Sequence, residues 1–174
     1  ISKLLQKSGI VWHPIQYTAK PPVISTLYDL HKLQNKAVEI IKDNPIKLLH
    51  CRSYIAAHVG RYCQKKFSIP WIFDMRGFWA DERVEGGIWN TSNILYKTVY
   101  RYFKSVEQDF IANSSHIISL THAGENEIRN WQCHKTSQTP ITVIPCCADS
   151  QLFRFTDEKK EILSRKLNIS DENF

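Results

Sequence analysis

The stretch FDMRGFWADERVEGG (residues 73–87) gathers Asp74, Arg76, Asp81, Glu82, Arg83 and Glu85 in one short segment. An apolar run, residues 69–73, leads into it, and Gly86 and Gly87 close it. A carboxylate two residues before an arginine can hold an anion. The guanidinium supplies a planar fork of donors and the acid fixes its orientation. Gly77, which follows directly, lets the backbone approach a bound group closely. Asp81 and Glu82 can accept hydrogen bonds or take a proton from a hydroxyl. A turn that only reversed the chain would be shorter and less charged. Arg76 and Asp74 are therefore the catalytic candidates, and Gly77, Asp81 and Glu82 are candidates for binding. Ser53 and Thr121 open predicted helices, where each either caps the helix or reaches a ligand.

The elements that must position these residues follow from the hydrophobic pattern. Residues 1–9 read as the last turns of a helix that Gly9 closes. A strand is expected over 10–17, then a helix from Thr26 to the Asn44-Pro45 stop. Strands follow at 46–51, 68–75, 116–120 and 141–146. Helices are expected over 53–67, over about 92–112, from Thr121 to near Trp131, and over the polar residues 157–167. In the longest helix Leu95, Val99, Phe103, Val106 and Phe110 form a core stripe. Residues 133–140 read as a loop.

This alternation predicts an α/β fold, Rossmann-like and three-layered, with a parallel sheet and helices on both faces. The strands are apolar, as strands covered on both faces should be. In such a sheet the carboxyl ends of all strands share one rim, and ligands bind there at a topological switch point. The rim would bring together Ser53, residues 74–77 with their loop, and Thr121. Free N–H groups at the helix starts favour anions in the same place.

At 174 residues the chain suits one domain, 1–156, and an appendage, 157–174. No apolar run approaches a membrane span. The five cysteines include no CxxC pair, which points to a reduced, cytoplasmic location. His50, Cys51, His58 and Cys63 match no common zinc spacing, so no metal and no cofactor is expected. The net charge of +6 suggests an anionic partner. Lys97, Arg101 and Lys104 form a basic helix face that can lie against an anionic membrane. Neither GxGxxG nor GxxxxGK[ST] is present, so a nucleotide held by a Gly-rich loop would need residues before Ile1. A basic nucleic-acid-binding module would need aromatics among its Lys and Arg residues. Only YKTVYRYFK (96–104) offers that, and its Val99 and Phe103 are required by the core, so nucleic acid is not an expected partner.

Three segments in order carry a family resemblance. VIPCCADSQLF resembles the V-I-P-N-G-V-D-x-x-x-F segment that ends the N-terminal domain of family 4 glycosyltransferases of the GT-B fold. HIISLTHAGENEI resembles that family's preceding strand and helix, and IPWIFDMRGFWADE the strand that in many members ends in His-Gly. Together they span about residues 10–167.

The resemblance implies one half of a GT-B fold, the acceptor side of a retaining enzyme of the hexosyltransferase type. Such enzymes serve polysaccharide or glycolipid biosynthesis and use a nucleotide-sugar donor. The donor would bind mainly a separate C-terminal domain, and the acceptor would be a glycan or lipid-linked sugar, at the inner face of the membrane in the second case. This chain would be the acceptor half, shortened at its front by a strand and its Gly-containing loop, and inactive alone. A GT-B sugar-nucleotide epimerase shares the architecture. Arg76 stands where the family commonly has His, and Cys146-Cys147 replaces Asn-Gly. Asp74 then orients Arg76, hydrogen-bonds a sugar hydroxyl or caps an Asx-type turn. Phe78 and Trp79 either stack on a sugar ring or pack beneath the loop.

Overall fold

The computed structural model describes residues 5–151 apart from 6, 19, 22 and 23. It divides into two compact units, Ile1–Ile144 and Pro145–Phe174. The predicted helix 157–167 lies outside the described residues. The first unit runs α1 (Ile24–Asp43), β1 (Leu49–Arg52), α2 (Ser53–Phe67), β2 (Trp71–Met75), α3 (Trp79–Glu85), α4 (Ile94–Asn113), β3 (His116–Ser119), α5 (His122–Asn130), α6 (Gln132–Ser137) and β4 (Ile141–Val143). The protein is thus α/β, with a four-stranded, all-parallel sheet.

The strands lie side by side in chain order, β1-β2-β3-β4. Right-handed crossovers between successive neighbours put their helices on the same face. The packing agrees: α1 lies along α2, α2 against α4, and α4 against α6. The predicted second helical layer is not found among the described residues. The sheet's two faces differ accordingly. Cys51, Trp71, Phe73, Met75 and Ile117 point into the helical layer and are buried. The alternate positions include Ile72, Asp74, His116, Ile118 and Thr142, and here His116 Nε2 meets Thr142 Oγ1 at 2.8 Å. Chain-order strands also leave no switch point between them, so the expected crevice must be sought elsewhere on the rim.

Three local expectations are corrected. Residues 10–17 form no strand. Val11 and Tyr17 are more than three-quarters exposed, and β1 pairs with β2 alone among the described strands. A branched, aromatic composition favours a strand only where a partner and a half-buried surface exist. Two predicted loops contain the short helices α3 and α6. At Gly9 the expectation holds: its φ is +69° and the Ile10 amide donates back to the Leu5 carbonyl.

The core is aromatic. Trp71 is fully buried, and its indole N–H lies 3.1 Å from Gln64 Oε1 and 3.2 Å from the Asn113 carbonyl. Phe110 meets Trp71, Phe73 and Tyr54 edge-on, at 5.8, 5.5 and 6.5 Å between centroids. Gly60 admits this packing, because a Cβ there would stand 2.5 Å from Cys51 Sγ and 2.8 Å from Trp71 Cε3. Cys51 and Cys63 are buried free thiols, and burial pushes Cys51 up to about 11.

A two-pronged ion pair ties α2 to α4. Arg61 Nε donates to Asp109 Oδ2 at 2.8 Å and Nη2 to Oδ1 at 3.0 Å. The Arg61 hydrogen bonds hold the Asp109 carboxyl below its ordinary range, against the opposing effect of burial. Its stabilisation is therefore present above the ordinary carboxylate pKa and is lost as pH falls through the lowered value. Solvent screens this partly exposed pair, so Asp109→Asn should cost only about 0.5–1 kcal/mol at neutral pH. Urea denaturation at neutral pH and in acid checks this: the variant and the parent should converge in acid. A difference that persists there would assign the loss to something other than the charge.

Candidate functional site

The charged segment, residues 73–87, leaves the sheet at Met75, turns through Arg76, Gly77 and Phe78, and enters α3. Most of its charges are engaged internally. Asp81 accepts from Tyr100 Oη at 2.7 Å and from Lys104 Nζ at 2.8 Å. The Arg83 guanidinium sits 5.1 Å from the centre of the Trp79 ring system. Trp79 stacks on Tyr54 at 5.7 Å and meets Phe103 edge-on at 4.8 Å. Of the two roles considered for Trp79, packing beneath the loop is the one the contacts describe.

Under this loop lies a buried acid from α4. Glu107 is fully buried. It accepts from Tyr54 Oη and from Lys104 Nζ, the latter at 2.5 Å. Tyr54 Oη also lies 3.3 Å from the Gly77 carbonyl, which links the buried acid to the rim. Burial pushes the Glu107 carboxyl above its ordinary range, against the pull of Lys104 and Tyr54. For Lys104 burial acts downward, but the hydrogen bonds to Asp81 and Glu107 outweigh it and leave the ammonium above its ordinary range. The signal was available, since Glu107 lies four residues after Phe103 and three before Phe110, within the core stripe.

Two cavities flank the loop. One, of about 330 Å³, opens at the carboxyl ends of β2 and β3. Arg76, Gly77, Glu82 and Thr121 line it, with Ser119 and Gly124. Thr121 caps α5 as expected: its Oγ1 accepts from the Gly124 amide at 3.0 Å and its carbonyl from Glu125. The amides of His122 and Ala123, in the first turn, have no intrahelical acceptor by helix geometry. The helix dipole and the half-buried Arg76 make this cavity receptive to an anion. A Cβ at Gly77 would stand 2.1 Å from Glu82 Oε1 and push that side chain aside, and the φ of +157° itself disfavours an L side chain. The second cavity, of about 710 Å³, lies between α3, α4, α5 and α6. Asp81, Glu82, Glu85 and Glu127 line it beside Phe78, Trp131 and Lys104.

The structure thus brings Arg76, Gly77, Glu82 and Thr121 together and places the other three candidates apart from them. Asp81 faces the larger cavity with both oxygens engaged. Ser53 begins α2 with a φ of +66°, the Ncap position falls on Arg52, and Ser53 lines neither cavity. Asp74 points to the sheet's other face and hydrogen-bonds through Oδ2 to His50 Nε2 at 3.2 Å. Its buried Oδ1 has no hydrogen-bond partner among the described residues. His50, weighed from the sequence only as a zinc ligand, lies two residues before Arg52 in β1 and so shares the face of Asp74. No group of three or more His, Cys, Asp or Glu side chains suited to a metal gathers among the described residues. No described helix is long and apolar enough to cross a membrane. No protein-family model and no curated protein matches this chain.

Proposed function

We propose that the chain is the acceptor-binding half of a glycosyltransferase that moves a sugar from a nucleotide-sugar donor to a glycan or lipid-linked acceptor. The observation that carries this reading is the cavity at the carboxyl ends of β2 and β3, where Arg76, Gly77, Glu82 and Thr121 converge beside the start of α5. Loops at that rim bind ligands in parallel α/β sheets. Arg76 and the first-turn amides of α5 would hold a phosphate or carboxylate of the acceptor, and Glu82 a sugar hydroxyl. Transfer needs donor and acceptor fixed in one closed cleft, so the chain alone should be catalytically silent. Its setting on this reading is cytoplasmic.

Titrating the isotope-labelled chain with hexose phosphates, neutral oligosaccharides and nucleotide sugars tests it. Hexose phosphates should shift the amide resonances of Gly77, Thr121, His122 and Gly124 in particular. Turnover of a nucleotide sugar by the chain alone, or shifts confined to other regions, would overturn the assignment.

A further inference from the structure

Helix α4 does not bury its first two turns. Leu95, placed in the core stripe by its spacing, is 55% exposed, and Ile94 is 82% exposed. Ile88, in the preceding loop, and Tyr102 are also about half exposed. Burial of the stripe begins in earnest only at Phe103. Ile88, Ile94 and Leu95 thus stand largely in water within one short segment, with Tyr102 half exposed and stacked on His58 at 5.9 Å, where isolated exposed residues are the norm.

The charge along this stretch of the sequence has one sign. Residues 86–106 contain no Asp or Glu, while they hold Lys97, Arg101 and Lys104. Lys104 is not available to a partner, because it is paired with Asp81 and Glu107. The expected three-residue basic face is thereby reduced to Lys97 and Arg101, both exposed. Helical spacing sorts the outer surface. Leu95 and Tyr102, seven apart, share one flank; Lys97 and Arg101, four apart, share another; Ile94 stands between them. The polar groups of this helix start are satisfied locally. Asn93 Oδ1 accepts from the Leu95 amide at 2.9 Å, Asn90 Oδ1 from the Ser92 amide at 2.9 Å, and Thr98 Oγ1 donates to the Ile94 carbonyl at 2.8 Å. Moving the segment into an interfacial layer therefore strands few backbone donors.

We propose that the start of α4 and the loop before it dock on an anionic lipid surface. Ile88, Ile94, Leu95 and Tyr102 enter the headgroup–acyl boundary, and Lys97 and Arg101 meet lipid phosphates. Exposed aliphatics, an aromatic with a polar tip and cations unopposed by acids are what such an interface selects. The inference does not rest on the acceptor reading, since the patch is separate from the rim cavity.

Co-sedimentation of the whole chain with vesicles tests it, using phosphatidylcholine alone and phosphatidylcholine with phosphatidylglycerol. Binding should require the anionic lipid and should weaken with salt. Lys97→Gln with Arg101→Gln should lower partitioning about thirtyfold, at roughly 1 kcal/mol for each cation. Ile94→Asp should lower it about tenfold or more. Both variants should keep the parent's Tm, because none of the three positions is buried. No binding to the anionic vesicles at low salt overturns the proposal, and so does binding that neither variant changes. A vesicle-free dimer that Ile94→Asp dissociates also overturns it, assigning the patch to a second copy of the chain.

Discussion

Replacing Glu107 by Leu should destabilise the protein by roughly 3 kcal/mol, at the lower end of what breaking a buried charged pair costs. The substitution keeps most of the side-chain volume, so the loss is electrostatic and not a cavity effect. It removes the acceptor shared by Tyr54 and Lys104. Each retains another partner, Tyr54 the Gly77 carbonyl and Lys104 the Asp81 carboxylate, and this limits the cost. In a chain of this size the Tm should fall by roughly 10 °C. The informative variant is the double one. Glu107→Leu with Lys104→Met replaces the pair by apolar groups and should recover most of the loss, giving a coupling energy of about 2 kcal/mol. A pH series adds an independent sign. Because burial raises the folded pKa of Glu107, stability linked to it is full below the ordinary value of 4.5 and declines as pH rises through the raised one. Glu107→Gln should remove that decline. A single-variant cost below about 1 kcal/mol, with no coupling to Lys104, would show that Glu107 is not a buried member of this network.

These residues show what the sequence made legible. Phe103, Phe110 and Thr121 were readable because their roles depend on local spacing: a helical stripe for the first two, a cap for the third. Glu107 occupies the same stripe, but its residue type suggests water, and only the tertiary proximity of Tyr54 and Lys104 reverses that. The rim position of Arg76 and Gly77 follows from strand order in a parallel sheet, so it too could be read. Asp74 was expected to orient Arg76, but it meets His50 of the neighbouring strand instead, a pairing that only the sheet register reveals. The segment 10–17 misled because strand propensity reports fit to a sheet surface, and no strand of the sheet pairs with that segment. Leu95 misled for the complementary reason: periodicity gives the direction of a side chain, but not how far the neighbouring layer extends.

Removing the Arg76 side chain should weaken binding of a hexose phosphate by about a hundredfold, or roughly 2.7 kcal/mol, within the range for two hydrogen bonds between charged groups. The expectation rests on the proposed acceptor site and on three features of it. Arg76 lines a cavity of about 330 Å³ at the carboxyl ends of β2 and β3. The opposite wall is the start of α5, whose first-turn amides and dipole favour the same anion. Gly77 leaves the backbone beside Arg76 without a Cβ, and Glu82 occupies that space. Arg76→Lys keeps the charge but loses the planar fork, so it should recover less than half of the lost binding free energy. The corresponding unphosphorylated hexose should bind Arg76→Ala nearly as well as it binds the parent, because its contacts run through Glu82 and Thr121. Isothermal titration with the two ligands and the three proteins separates these outcomes. Asp74→Asn now serves as the control, since Asp74 faces His50 across the sheet; it should change phosphate binding far less than either Arg76 substitution does. If Arg76→Lys binds hexose phosphate as tightly as the parent, a diffuse positive potential is sufficient and the fork has no role. If the hexose and its phosphate lose affinity equally in Arg76→Ala, then Arg76 shapes the loop instead of holding the anion, and the phosphate site must be sought elsewhere on the rim.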